Sequence, residues 1–99
     1  MTDPLSASDA QTLIAPLQET GWDFARDGRA ITKTFVFAGF VSAFDWMTRV
    51  ARIAEDKNHH PEWTNVYKTV TVTLTTHDAK GLTLKDITLA QEMDKAVQI

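Results

Sequence analysis

The sequence predicts an α+β fold in which helices pack on one face of an antiparallel sheet. Three segments carry apolar residues at helical spacings, and the segments between them alternate with the period of two that is typical of strands. The predicted order is helix, strand, strand, helix, a long extended run and a last helix. Hairpins therefore outnumber strand–helix–strand units, which argues against a doubly wound parallel sheet.

The N-terminal part is predicted to hold a short arm and the first helix. We expect residues 1–7 to be a flexible arm and residues 8–99 to form a single domain. Ser8 is the predicted N-cap of the helix, and Thr20-Gly21 is a suitable end. Pro16 lies past the first turn, where its missing N–H predicts a kink or an early end of the helix.

Strand patterns lie on both sides of a central helix. Asp27-Gly28 is a turn signal and predicts a hairpin of Trp22–Arg26 with Arg29–Phe37. The run Trp63–Thr76 is long for one strand, so we expect a break near Tyr67-Lys68. Its two faces are a threonine face, expected to be open to solvent or a ligand, and an apolar face with Val66, Val70, Val72 and Leu74.

The central helix is predicted from about Phe40 to Asp56. Its expected core face has apolar residues at offsets of three, four and seven: Phe40, Ala43, Phe44, Met47, Val50, Ala51 and Ala54. Trp46 and Ile53 are also apolar, but at about 100° per residue they fall roughly 110° from the centre of that face. Either they are half-exposed flanks of a broad core stripe, or they form a second stripe that meets another subunit.

The C-terminal part is predicted to be a turn followed by the last helix. The turn spans His77–Gly81, and Thr83 with Asp86 three positions later forms a capping box, with Asp in place of the usual Glu. Asp86 falls on the same helical face as the apolar residues Ala90 and Met93. Its carboxylate is therefore expected to be partly buried.

Composition excludes several functional classes. The 99 residues carry a formal charge of −3 without a cluster of Lys or Arg, which disfavours direct nucleic-acid binding. The absence of cysteine excludes a disulfide framework, a thiol nucleophile and cysteine-based zinc sites. No apolar run approaches membrane-spanning length and the first residues do not resemble a signal peptide, so the expected location is the cytosol. So short a chain buries a limited core, and we expect oligomer formation to stabilise it.

Three histidines are the candidates for chemistry. His59 and His60 are adjacent where the helix pattern gives way to a strand, and Pro61 fixes a turn that could aim both rings into one cavity. His77 ends the extended run and would return towards this pair if the run folds back near Tyr67. Imidazole exchanges protons near neutral pH, so such a group suits an elimination in which one ring protonates a leaving hydroxyl and another accepts a proton.

Two other interpretations of the histidines stay open. They could be structural or surface residues, or they could bind zinc or iron together with Glu55 or Asp86. Their spacing differs from that of a helical pair four residues apart, which weighs against a metal site.

Four further side chains could assist the histidines. Glu55 lies one turn before His59 and could orient an imidazole, or it could be a solvated helix-end carboxylate. Asp86 could cap its helix alone or also orient a histidine of the site. Trp63 and Tyr67 could stack on a flat heterocycle, although such residues also belong to cores and interfaces.

These residues resemble the motif of the pterin-4a-carbinolamine dehydratases. The resemblance covers residues 13–94, and its central run is Glu55-x-x-x-His59-His60-Pro61, followed by Tyr67, Thr76-His77, Leu82-Thr83 and Asp86. The flanks agree at Trp22, Phe35-x-Phe37, Phe40, Phe44 and Leu89-Ala90. One departure is Lys80-Gly81, where members of that family often have Gly-Gly.

The resemblance implies an activity and a set of site residues. The activity is dehydration of 4a-hydroxytetrahydrobiopterin to quinonoid dihydropterin and water, which recycles the pterin cofactor of aromatic amino acid hydroxylases without a metal or organic cofactor. Carried over by position, the catalytic residues would be His59, His60 and His77, with Glu55 and Asp86 in support. The expected substrate contacts are Pro61, Trp63 and Tyr67.

The resemblance also bears on architecture and partners. It implies four antiparallel strands, three helices on one face, and a homodimer or homotetramer built partly through the long helix, which favours Trp46 and Ile53 as interface residues. A non-catalytic alternative stays open, because animal members also act as dimerisation partners of a transcription factor, a role that an exposed apolar helix face could serve. Some relatives without the histidines are assembly or binding modules, and the intact trio argues against that function here.

Overall fold

The computed structural model describes residues 3–97 and confirms the predicted α+β fold and its element order. Its helices are α1 (Ala7–Gln18), α2 (Phe40–Lys57) and α3 (Leu84–Ala96). Its strands are β1 (Asp23–Ala25), β2 (Ala30–Val36), β3 (Glu62–Val66) and β4 (Thr69–Leu74). Single turns of 3-10 helix at Arg26–Gly28 and His77–Ala79 follow β1 and β4.

The four strands form one antiparallel sheet in the order β1-β2-β4-β3. Glu62 at the start of β3 pairs with Thr73 near the end of β4. The chain before β3 and the chain after β4 therefore meet at one end of the sheet. This register brings His59 and His60 towards His77, as folding back near Tyr67 was expected to do.

The hydrophobic core lies between one face of the sheet and the three helices. Strand residues on that face include Ile31, Phe35, Val70, Val72 and Leu74, and the helices contribute Ile14, Leu17, Trp46, Val50, Leu89 and Met93. Burying one such side chain stabilises the fold by roughly 1.5–3 kcal/mol. Within residues 3–97, no helix is long and apolar enough to cross a membrane.

The N-cap of helix α1 lies two residues before the predicted one. The Ser6 side chain, not that of Ser8, accepts a hydrogen bond from the Asp9 N–H at 3.1 Å. Just before it, the Leu5 N–H donates to the Leu82 carbonyl at 2.7 Å. The predicted arm thus overlaps the helix start; Met1 and Thr2 lie outside the described residues, and the flexibility of the arm stays a prediction. The helix continues past Pro16 to Gln18, so the expected early end is wrong.

The orientation of α2 corrects the interface prediction. Trp46 is fully buried, and its indole N–H donates to the Met93 carbonyl at 3.1 Å, so it cannot meet another subunit. Ile53 is partly buried against the same core. Phe40 and Phe44, predicted to be in the core, are about half exposed. The buried face of the helix is thus rotated by roughly 50° from the predicted one, because the Trp46 ring fills the space over Phe35 at 4.4 Å between centroids.

The break between β3 and β4 is confirmed at Tyr67-Lys68, and it reverses one side chain. Val66 pairs with Thr69 across the two-residue turn and shares its open face, where it is 74% exposed. The apolar face of β3 is formed by Trp63 opposite Val72. Because only two residues separate Val66 from Thr69, these two side chains share a face, and Val70 lies on the other. The prediction that Val66 belongs to the apolar face is therefore wrong.

The exposed apolar residues gather at one end of the molecule. Six of them lie at the end of β2, the start of α2 and the turn between β3 and β4: Val36, Phe40, Val41, Phe44, Val66 and Tyr67. Strand pairing places Val36 and Val66 on either side of Thr69. We call this set the apolar end; because β4 runs away from it towards His77, the histidines lie at the opposite end.

Candidate active site

The best-defined element of the site is a hydrogen bond between His59 and a buried carboxylate. Asp86 is completely buried, and its Oδ1 lies 2.6 Å from Nε2 of His59, whose ring is also buried. A carboxylate can only accept, so Nε2 carries the hydrogen and Nδ1 is left as the nitrogen that can accept a proton. The carboxylate thus fixes both the tautomer and the angle of the ring.

The second oxygen of Asp86 ties this pair to the start of α3. Oδ2 accepts from the Thr83 N–H at 3.0 Å and from the Thr76 hydroxyl at 2.8 Å. Because the Thr76 hydroxyl donates to Asp86, it accepts from the Thr83 hydroxyl at 2.8 Å. The predicted capping box is confirmed, and the same carboxylate that caps the helix also contacts His59.

The end of α2 directs the histidine pair. Asn58 is in the left-handed conformation at φ 52°, and its N–H bonds back to the Glu55 carbonyl, which turns the chain out of the helix. The His59 N–H still bonds to the Ala54 carbonyl at 3.0 Å. His60 points a different way: its Nε2 lies 2.9 Å from Oε1 of Glu55, and both side chains are mostly exposed. Glu55 therefore contacts a histidine, but with little burial to strengthen the contact.

The third histidine is held near a surface ion pair. Nε2 of His77 lies 3.3 Å from Oε2 of Glu62, and the Arg26 guanidinium bonds to both oxygens of Glu62 at 2.6 and 3.1 Å. These hydrogen bonds from Arg26 lower the pKa of the Glu62 carboxyl from its usual value, partial burial opposes the shift, and His77 adds to it. The pKa of Arg26 is raised in return.

The three histidines line one open cleft of about 270 Å³. Its other walls are Asn58, Thr75, Thr76, Asp78 and Lys85. One ring is buried and fixed, whereas His60 and His77 are exposed at the rim. Such a cleft can present imidazoles to a small molecule from different sides.

The proposed substrate contacts are distributed unequally around this cleft. Pro61 follows His60 directly and is partly buried where β3 begins. Trp63 faces the core, 6.2 Å from Trp46 between ring centroids. Tyr67 is 63% exposed in the turn at the far end of β3, roughly 15 Å along the strand from its first residue. The structure therefore does not bring Tyr67 to the histidines of the same chain.

The sequence assigned no role in the site to Thr76 or Glu62, and to Thr83 only that of a helix cap. The Thr76 hydroxyl donates to the buried carboxylate of Asp86, and Thr83 donates its N–H to that carboxylate and its hydroxyl to Thr76. Glu62 follows Pro61 and contacts His77, a contact that depends on the strand register and has no signal in the sequence.

A metal site finds no support in the arrangement of donors. Within residues 3–97, no group of three His, Cys, Asp or Glu side chains is placed to hold a metal ion. Instead each histidine faces its own carboxylate: Asp86, Glu55 or Glu62.

Comparison with known proteins now identifies the family. A family model described as pterin 4 alpha carbinolamine dehydratase matches residues 3–96. The chain belongs to this family. A relative from Roseobacter denitrificans is 56% identical over 94 residues, covering 95% of this chain and 96% of its own length. A relative from Jannaschia sp. is 51% identical over 98 residues, covering 99% and 100%. Each bears the name "Putative pterin-4-alpha-carbinolamine dehydratase".

Two solved structures share the architecture of this family member. A transcriptional coactivator/pterin dehydratase from Brucella melitensis superposes with a TM-score of 0.88 at 38% identity, covering 96% of this chain and 99% of its own. A pterin dehydratase-like RuBisCO assembly factor of the alpha-carboxysome superposes with a TM-score of 0.68 at 17% identity, covering 78% and 89%. The second likeness extends to the fold alone.

Proposed function

We propose that this dehydratase-family chain converts 4a-hydroxytetrahydrobiopterin to quinonoid dihydropterin and water, using its cleft histidines as general acids and a general base. The observation that carries the proposal is the meeting of His59, His60 and His77 in one cleft, with His59 fixed by a buried carboxylate. Family membership supports the reaction class. The reaction would recycle the pterin cofactor of aromatic amino acid hydroxylases, in the cytosol.

The reaction needs two proton transfers and no redox step. The bond between C4a and the hydroxyl oxygen breaks, and an acid protonates the departing oxygen to give water. N5 loses its proton to a base, and its electron pair forms the double bond between N5 and C4a. Proton transfer by positioned imidazoles accelerates such steps by about 10²–10⁴-fold.

We propose a division of these roles among the three rings. We assign His59 and His77 as acids that reach C4a from different sides, and His60 as base or substrate anchor. Asp86 supports His59 by holding its Nε2–H at 2.6 Å, which leaves Nδ1 as the nitrogen that exchanges a proton with the substrate. Glu55 contacts Nε2 of the more exposed His60 at 2.9 Å and supports the orientation of that ring.

The decisive experiment measures dehydration of the 4a-carbinolamine by stopped-flow absorbance. The triple variant His59→Ala, His60→Ala, His77→Ala should lose all acceleration, and each single variant should lose about 10²-fold or more. Lys68→Gln, an exposed change at the other end of the sheet, is the matched control. Circular dichroism separates lost folding from lost chemistry. Full acceleration by the triple variant would contradict histidine catalysis.

A second candidate is a binding function without catalysis. The solved relative from Brucella melitensis is named a coactivator as well as a dehydratase, and the exposed Phe40, Val41 and Phe44 at the start of α2 offer an apolar helix face to a partner helix. Wild-type protein that does not accelerate dehydration would favour this function over the enzyme.

We also propose that the chain forms a homodimer or homotetramer through the apolar end. The prediction of an oligomer now depends on the exposed aromatic residues of the apolar end, because Trp46 is in the core. Ile53 lies on α2 and is partly buried, so it contributes less surface.

A further inference from the structure

A second recess adjoins the histidine cleft and is lined by cations. Its walls are Arg26, Arg29, Thr75, His77 and Lys80, and it encloses about 290 Å³. We call it the cationic recess. Thr75 and His77 also line the histidine cleft, so the two spaces are adjacent. The proposed chemistry uses none of the three cations.

Charge is poorly balanced in the cationic recess. Arg26 is paired with Glu62 at 2.6 Å. Arg29 bonds through Nε to a backbone carbonyl at 3.0 Å, and among residues 3–97 no carboxylate is within ion-pair distance of Arg29 or Lys80. Two positive charges thus face one recess in a chain whose net charge is −3. An anion in the recess would lower their mutual repulsion.

The end of the His77–Ala79 turn positions Lys80. Lys80 is in the left-handed conformation at φ 56°, which glycine adopts with less strain than any residue with a Cβ, and its N–H donates to the His77 carbonyl at 3.0 Å. This turn places the Lys80 side chain beside His77 in the wall of the recess.

The sizes of the two spaces suggest what the anion belongs to. Ligand pockets enclose about 300–1,000 Å³, and the cleft of about 270 Å³ is close to the lower end of that range. The adjoining recess of about 290 Å³ offers further room for a substituent of the ring. A ring in the cleft would direct a substituent past His77 towards Arg29 and Lys80.

We propose that the cationic recess binds an anionic group, a phosphate or a carboxylate, carried on the side chain of the pterin whose ring lies in the histidine cleft. This inference rests on the proposed dehydratase function and extends its substrates to pterins that carry such an anion in place of the neutral dihydroxypropyl side chain of tetrahydrobiopterin. Arg29 supplies a planar fork of donors, and Lys80 a mobile point charge, which together suit phosphate or carboxylate oxygens.

The test compares two carbinolamines that differ by one group. Wild-type protein is assayed on the 4a-hydroxytetrahydropterin with a hydroxymethyl side chain and on its phosphate monoester. The ratio of kcat/KM, ester over alcohol, should be about tenfold or more, as expected for charge-assisted hydrogen bonds. It should fall towards one in Arg29→Gln, Lys80→Asn protein, in which asparagine tolerates the left-handed backbone. The matched control Lys68→Asn should keep the wild-type ratio.

The outcomes separate the two proposals. Equal kcat/KM on both substrates, unchanged by the substitutions, overturns the anionic side chain but leaves the dehydratase function standing. No acceleration of either substrate by folded wild-type protein overturns both. Titration with inorganic phosphate, followed by NMR of the His77 ring, tests whether the recess binds a free anion instead of a group on the substrate. If phosphate binds but kcat/KM is equal on the two substrates, the recess is a site for an independent anion and the link to the substrate is overturned.

Discussion

At the scale of single residues, Asp86 connects folding to chemistry. One buried side chain caps α3, accepts the Thr76 hydroxyl and contacts His59. The capping box can be predicted from the sequence, but the contact with His59 depends on how α3 packs beside the end of α2. A residue that looks like a helix cap is therefore also a positioning residue of the candidate site.

The first prediction concerns Asp86→Asn. Asparagine keeps the size of the side chain, but its NH₂ group would oppose a donor from either His59 or Thr83. Because the site is fully buried, the unmatched donor should cost about 1–3 kcal/mol of the free energy of unfolding. Urea denaturation measures this loss. The exposed Asp45→Asn serves as control, and wild-type stability in Asp86→Asn would show that the three contacts are not as described.

The second prediction concerns Glu62 and acid. Hydrogen bonds from Arg26 place the folded-state pKa of Glu62 below its usual value of 4.5. The pair therefore contributes stability that is complete above that value and is lost as the pH falls through the lower, folded pKa. Wild-type protein should exceed Glu62→Gln in unfolding free energy at pH 7, and the difference should shrink below pH 4.5. The effect should be small, because both side chains are exposed.

A second variant separates this ion pair from other effects of the substitution. In an Arg26→Gln background, Glu62→Gln should no longer change the acid dependence in this way, because the main cause of the shifted pKa is gone. Urea titrations of all four proteins between pH 3 and pH 7 provide the comparison. A difference between wild type and Glu62→Gln that does not vary with pH would contradict the prediction.

At the scale of elements, the end of α2 sets the geometry of the histidine pair. Asn58 in the left-handed conformation ends the helix, and the next two residues line the cleft before Pro61, which directly precedes β3. Sequence reasoning identified this break from Asn58 and Pro61, because both residues act locally on the backbone. It could not tell that His59 would turn inward and His60 outward, since that depends on the position of Asp86.

The third prediction tests the left-handed cap. Asn58→Ala should destabilise the protein by about 1 kcal/mol, because alanine lacks the tolerance of asparagine for this conformation. Asn58→Gly should preserve or raise stability, since glycine adopts positive φ freely. Thermal unfolding of the two variants beside wild type gives the order. Equal stability of the alanine and glycine variants would argue against a left-handed residue at this position.

Helix α2 also shows where element prediction stops. The helix itself was predicted to within one residue at its C-terminus, because its apolar residues recur over five turns. The rotation of α2 about its axis was not predicted correctly, because the apolar stripe of the helix is broad and has apolar residues on both flanks. Trp46 is buried in place of Phe44 because its ring packs on Phe35 and its indole N–H donates to the Met93 carbonyl. These contacts form only when the sheet and α3 pack against α2.

At the scale of the whole molecule, the chain separates two surfaces. The histidine cleft lies at the end of α2, whereas the apolar end lies at its start, about 27 Å away along an 18-residue helix. The sequence predicted both a polar site and an oligomer surface. It favoured Trp46 for the oligomer surface, whereas Trp46 is in the core. The break predicted at Tyr67-Lys68 places Tyr67 at the end of β3 away from the histidines of its own chain, so the contact of Tyr67 with the substrate stays a prediction.

The last prediction follows from this separation. Phe40 and Phe44 lie 5.6 Å apart between ring centroids and are about half exposed, so an oligomer that buries them would gain apolar contact without covering the cleft. Wild-type protein should sediment as a dimer or tetramer, and Phe40→Gln, Phe44→Gln protein should shift towards monomer while keeping its helical circular dichroism. Trp46→Ala should instead lose about 3–5 kcal/mol of folding stability, as a core truncation does. If the double variant sediments like wild type, or wild type is itself monomeric, the apolar end is not the subunit interface.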